Sequence, residues 1–162
     1  MNRTEPKIVS KKGFMAIGMQ YVGKNEHEEI SKMWQEFMPR VKEIKDLTRD
    51  KESGEVSYGL CYMPEGAEKG VIEYIACFPV SSLKYVPQGM VAKEVPSQTY
   101  AKVEAYGVKD IGPAYSFLIN EWLPHSDYEA GCGPDFELYT NEFDPDNPES
   151  ILLIYYPVKK KK

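Results

Sequence analysis

Apolar and polar residues alternate along this chain in two runs that follow the same order. Residues 14–22, FMAIGMQYV, read as a strand. The stretch NEHEEISKMWQEFMP, 25–39, then carries Ile30, Met33, Trp34, Phe37 and Met38 at helical spacing. Asn25 suits the N-cap with Glu28 as its capping-box partner, and Pro39 ends the helix. Strands are predicted at 56–63 and 70–78, joined by the turn-rich PEGAEKG. The second run opens with a strand at 98–106. Its helix starts after Gly112-Pro113, shows Tyr115, Leu118, Ile119 and Trp122 on its apolar face, and stops at Pro124. Strands at 135–140 and 151–158 follow, joined by FDPDNPES. A further strand at 89–95 is expected to bridge the two runs.

The two runs also match residue by residue. MWQEFMP at 33–39 aligns with LINEWLP at 118–124, pairing Glu36 with Glu121 and Pro39 with Pro124 at an offset of 85 residues. YGLCYMPEGAEKGVIEYIACFPV at 58–80 aligns without a gap with FELYTNEFDPDNPESILLIYYPV at 136–158, at an offset of 78 residues. The pattern predicts one domain over 1–162 built from pseudo-repeats at about 9–80 and 90–158. The fold class is α+β: tandem strand–helix–strand–strand units form one curved antiparallel sheet with two helices on one face.

The repeat makes PDFELY, 134–139, the most informative stretch. Alternation puts Phe136 and Leu138 on one face and Glu137 and Tyr139 on the other. In the aligned repeat Glu137 stands opposite Gly59, and Tyr139 opposite Cys61. Small side chains on one side of the pseudo-axis leave space, and the other side supplies a carboxylate and a phenol. This predicts a pocket between the helices, with Trp34, Phe37, Tyr115 and Trp122 as its aromatic walls and Glu137 and Tyr139 on its floor. The plainer reading has Glu137 facing water and the helix aromatics packing the core. Glu36 and Glu121 read as solvated helix residues, and Glu73 in VIEYIACF is a second candidate pocket carboxylate.

Composition narrows the partners. A net charge of −5 argues against direct contact with nucleic acid, which calls for a basic patch. The basic run at 159–162 reads as a solvated terminus. The twelve tyrosines offer large apolar faces with polar tips, which suit a binding surface. Cys61, Cys77 and Cys132 are odd in number and lack CxxC spacing, and His27 and His125 stand far apart. No metal site and no cofactor is predicted, and the common nucleotide and hydrolase signatures are absent. Without an apolar run of spanning length or a signal-peptide core, the sequence predicts a cytoplasmic protein with no membrane partner.

The run WLPHSDYEAGCGPDFELYTNEFDPDNPESILLIYYPVK resembles the C-terminal signature of GyrI-like, or AraC-type effector-binding, domains. YGLCY and VPSQTYAKVEAYG fit earlier segments of that family, and the resemblance runs from about residue 6 to 159. It implies the same duplicated fold. It also implies stand-alone binding of bulky, often cationic, aromatic small molecules, with the family's buried glutamate falling on Glu137 between Phe136 and Leu138. One alternative within the family is hydrolysis of cyclopropane-bearing electrophiles, which would make Glu137 and Tyr139 catalytic. Another is a protein-interaction module such as a gyrase inhibitor, with a regulator or topoisomerase as partner. From the length of this chain the sequence reading expects no separate DNA-binding domain beside this one.

Overall fold

The two runs fold into two halves of one sheet. The computed structural model describes residues 3–162, so Met1 and Asn2 of the expected 1–162 domain lie outside the described residues. The strands are β1 (Lys7–Lys11), β2 (Phe14–Gly23), β3 (Val56–Tyr62), β4 (Ile72–Val80), β5 (Val91–Val95), β6 (Gln98–Tyr106), β7 (Tyr128–Ala130), β8 (Asp135–Thr140) and β9 (Ile151–Lys160). Helix α1 spans Glu29–Phe37, and α2 spans Ile111–Ser116. The sheet order is β1-β6-β9-β8-β3-β4-β2-β5, with β7 added alongside β9. All pairings are antiparallel.

That order is a palindrome of the repeat. β2, β3 and β4 of the first half correspond to β6, β8 and β9 of the second, and the halves meet where β3 pairs with β8. In that pair Gly59 lies opposite Glu137. The same two residues are equivalent in the aligned repeat, so the pseudo-twofold axis passes between them. The sequence repeat therefore places Glu137 at the centre of the sheet.

Each face buries a separate set of side chains. One face holds Tyr58, Leu60, Ile75, Cys77, Tyr100, Phe136, Leu138 and Tyr155 without any helix. On the other, Met33 and Phe37 of α1 pack on Ile17, Tyr74, Ala76 and Val80. Ala114 of α2 and Leu118 just beyond it pack on Ala101, Val103, Leu152 and Ile154. Both helices thus cover the face that carries Glu137.

Several boundaries differ from the sequence reading. Asn25 lies four residues before α1. Its Oδ1 still accepts the Ile30 N–H at 3.0 Å, but Glu29, and not Glu28, reaches back, accepting the His27 N–H at 2.8 Å. Glu28 takes a left-handed φ of 59° at the helix start, which spoils capping-box geometry. The strand predicted to bridge the halves, β5, pairs with β2 at a sheet edge instead. The second helix begins at Ile111 and passes into a π-helical segment over Phe117–Trp122, then a 3-10 turn over Leu123–His125. The wider π turn breaks the 3.6-residue period, and Ile119 is left 41% exposed. No helix of the described residues is long and apolar enough to cross a membrane.

Candidate functional site

Strand alternation carries Asp135, Glu137 and Tyr139 of β8 onto the helix-covered face. Phe136 and Leu138, both fully buried on the opposite face, fix that register, because a slip of one residue would reverse every side chain. Glu137 is 8% exposed. Its Oε1 accepts hydrogen bonds from Tyr74 Oη of β4 at 2.8 Å and Tyr139 Oη at 2.7 Å. The indole Nε1–H of Trp34 on α1 donates in turn to Tyr74 Oη at 3.0 Å. The Trp34 and Tyr139 rings meet edge-on with centroids 5.7 Å apart.

Gly59 makes this arrangement possible. A Cβ there would collide with Tyr74 Oη and Cζ, and would stand 2.8 Å from Glu137 Oε1. The space expected opposite the carboxylate is therefore not open: the absence of a side chain at Gly59 is the track along which the Tyr74 phenol reaches the pseudo-axis and fills it.

The remaining oxygen of Glu137 is different. Among the described residues no hydrogen bond reaches Oε2, while the only fully buried side-chain nitrogen or oxygen without a partner is Gln98 Nε2. Oε2 is therefore unpaired and not completely sealed from solvent. Burial pushes the Glu137 carboxyl up to about 7, against the two phenol hydrogen bonds that favour its charged form, and the nearby Asp135 charge pushes the same way as burial. Burial likewise pushes Asp135 up to about 6, although Tyr115 Oη donates to its Oδ1 at 2.8 Å. The phenols of Tyr74, Tyr115 and Tyr139 are held well above the usual tyrosine range, first by burial and then by these carboxylates. They stay protonated and donate. Cys61 pairs with Asp135 in register, and burial plus the two carboxylates push its thiol up as well. It is a neutral, weakly reactive neighbour.

The structure brings Glu137, Tyr139, Trp34 and Gly59 together, with Tyr115 and Cys61 gathered around Asp135. Phe37 is completely buried, against Trp34 at 6.0 Å and Phe78 at 5.8 Å, so it props the Trp34 ring from behind. Trp122 stacks on Tyr128 at 6.0 Å. Glu36 and Glu121 are exposed. Glu73 is neutralised by Lys93 at 3.1 Å and bonded by Gln20, so it is no unpaired pocket carboxylate. Tyr74 and Asp135 were missed by the sequence reading. Parity was the signal for both. Asp135 shares a face with Glu137, and Tyr74 shares one with Gly59 once β3 and β4 are paired.

Comparison with known proteins places the fold. The family model described as Cass2, integron-associated effector binding protein, matches residues 7–158. Over 154 residues the chain is 33% identical to the transcriptional regulator BrlR of Pseudomonas aeruginosa, covering 94% of this chain and 54% of the regulator. It thus spans about half the length of that relative. The structure of SAV2435 bound to tetraphenylphosphonium aligns with a TM-score of 0.72 at 20% identity, covering 96% of this chain and 94% of that one. An integron cassette protein from the mobile metagenome of Vibrio cholerae aligns at 0.66 with 18% identity and 97% of each chain covered. EcmrR, solved in complex with DNA, aligns at 0.69 with 18% identity, covering 97% of this chain and 58% of that one. At these identities the structural likenesses show the fold.

Proposed function

Because the chain belongs to the Cass2 family of integron-associated effector binding proteins, we propose that it binds bulky, lipophilic aromatic cations with Glu137 as the buried counter-charge. One observation carries this reading. A carboxyl nine-tenths buried has one oxygen fixed by two phenols, the other unpaired, and no lysine or arginine in ion-pair contact among the described residues. Such a group lacks a partner for its charged form. A lipophilic cation supplies one, and the faces of Trp34, Tyr139 and Tyr115 add cation–π attraction of roughly 0.5–2 kcal/mol each. Tyr74 and Tyr139 hold the carboxylate in place, Gly59 leaves the room that the Tyr74 phenol fills, and Phe37 backs the Trp34 ring. SAV2435, of the same fold, binds tetraphenylphosphonium, which supports the ligand class. Nothing in the geometry favours hydrolysis or a gyrase-directed surface over binding.

The partner expectation is wider than the sequence suggested, because the acidic composition argued against nucleic acid and the relatives include DNA-binding regulators. The curated relative is a transcriptional regulator of about twice this length, and EcmrR was solved on DNA. A binding event here fits a sensor role in which DNA or another protein is contacted by a separate segment or chain.

Tryptophan fluorescence titration tests the reading on the wild-type protein. Tetraphenylphosphonium is expected to bind at least tenfold more tightly than neutral triphenylphosphine oxide, a difference of about 1.4 kcal/mol. Equal affinities would overturn the counter-charge.

A further inference from the structure

A single cation at Glu137 leaves Asp135 without a role. Asp135 precedes Glu137 by two residues, so their Cα atoms stand about 7 Å apart on one face of β8. Each carboxyl is anchored by a phenol from a different element, Asp135 by Tyr115 of α2 and Glu137 by Tyr74 of β4 as well as Tyr139. Neither second oxygen accepts a side-chain hydrogen bond among the described residues, and the Asp135 carboxyl takes only its own backbone N–H besides Tyr115. Elsewhere, half-buried carboxylates find cations within the chain. Asp110 meets Arg3, Asp50 meets Lys11 and Glu73 meets Lys93. Among the described residues none of the ion pairs involves Asp135 or Glu137. Two neighbouring carboxyls thus lack a cation that would favour their charged forms, and among the described residues no lysine or arginine pairs with either.

Resting on the cation-binding reading above, we infer that Asp135 is a second anionic anchor and that the site selects rigid aromatic dications whose positive centres are about 7 Å apart. One centre faces Glu137 Oε2 and the other Asp135 Oδ2. The aromatic spacer lies against Trp34, Tyr139 and Tyr115, and the neutral Cys61 thiol opposite Asp135 adds no competing charge. Bipyridinium salts linked through their 4-positions have this size and charge.

The test compares N,N′-dimethyl-4,4′-bipyridinium with the monocation N-methyl-4-phenylpyridinium, which has a similar shape and one charge. Measurement at about 0.15 M salt screens the acidic exterior. The wild type is expected to bind the dication at least tenfold more tightly. Asp135→Asn should lower that ratio at least tenfold, and Tyr115→Phe should lower it less, because it loosens the anchor without removing it. The monocation serves as the internal check on folding in each variant. A wild-type ratio near one, or a ratio that Asp135→Asn does not move, would overturn the second anchor. If monocation binding still depends on Glu137 in that case, the cation-binding reading stands alone. Failure of the wild type to bind either compound would overturn both.

Discussion

Exchanging Glu137 for glutamine is expected to weaken tetraphenylphosphonium binding at least tenfold, about 1.4 kcal/mol, and to leave triphenylphosphine oxide within twofold. Glutamine keeps an oxygen that accepts from Tyr74 and Tyr139, so the local packing survives. It replaces the unpaired Oε2 with an amide that donates, aimed where the cation would sit. The loss therefore reports charge and not shape. Isothermal titration calorimetry on both ligands checks it, and an equal loss for the two would show that Glu137 acts only in packing. Stability should move the other way. Burial holds the carboxyl at about 7, above its ordinary 4.5, so the folded chain favours the protonated form. Its contribution to stability is present at acid pH and is lost as pH rises from about 4.5 through 7. The glutamine variant, which carries no proton to lose there, should be at least as stable as the wild type at pH 8 in urea unfolding.

Phe136→Ala, one residue away, is expected to do the reverse. Phe136 is completely buried on the opposite face. Its ring meets Tyr155 at 4.8 Å, Tyr100 at 5.2 Å, Tyr58 at 5.3 Å and Phe14 at 5.8 Å. These four come from β9, β6, β3 and β2, so the ring ties both halves together across the sheet. Truncation removes its burial and leaves a cavity that rigid aromatic neighbours fill poorly, at a cost of about 3–5 kcal/mol. Urea unfolding should show the loss as a lower midpoint, or as failure to fold at 37 °C. Phe136→Leu retains most of the volume and should cost about 1.5 kcal/mol or less. An alanine variant within about 1 kcal/mol of wild type would mean that this face can collapse around the gap.

These opposite outcomes from neighbouring residues rest on strand alternation, which was legible in PDFELY. The duplicated fold was legible too, because the ungapped match of 58–80 with 136–158 places β3 on β8 and β4 on β9. The resemblance to effector-binding domains agrees with the family match over residues 7–158. What the sequence hid is mostly short or long-range. β1 is five residues with mixed exposure, and β7 is three residues held by β9, so neither shows a usable period. The π segment is an irregularity that a 3.6-residue stripe does not encode. Tyr74 reaches Glu137 across 63 residues of chain, and only the strand pairing, together with the absence of a side chain at Gly59, brings the two into contact. Glu73 drew notice in its place because a carboxylate stands out in an apolar run. Alternation turns it to the other face from Tyr74, where Lys93 meets it.

Cation binding turns on Glu137 being a buried carboxyl whose missing partner is a cation. Carbon-detected NMR of the Glu137 carboxyl, titrated with and without saturating tetraphenylphosphonium, tests it most directly. The expected midpoint is near 7 in the free protein and at least one pH unit lower with ligand bound, the counterpart of a tenfold preference for the ionised form. A free carboxyl titrating near 4.5, or a midpoint that the cation leaves in place, would contradict it.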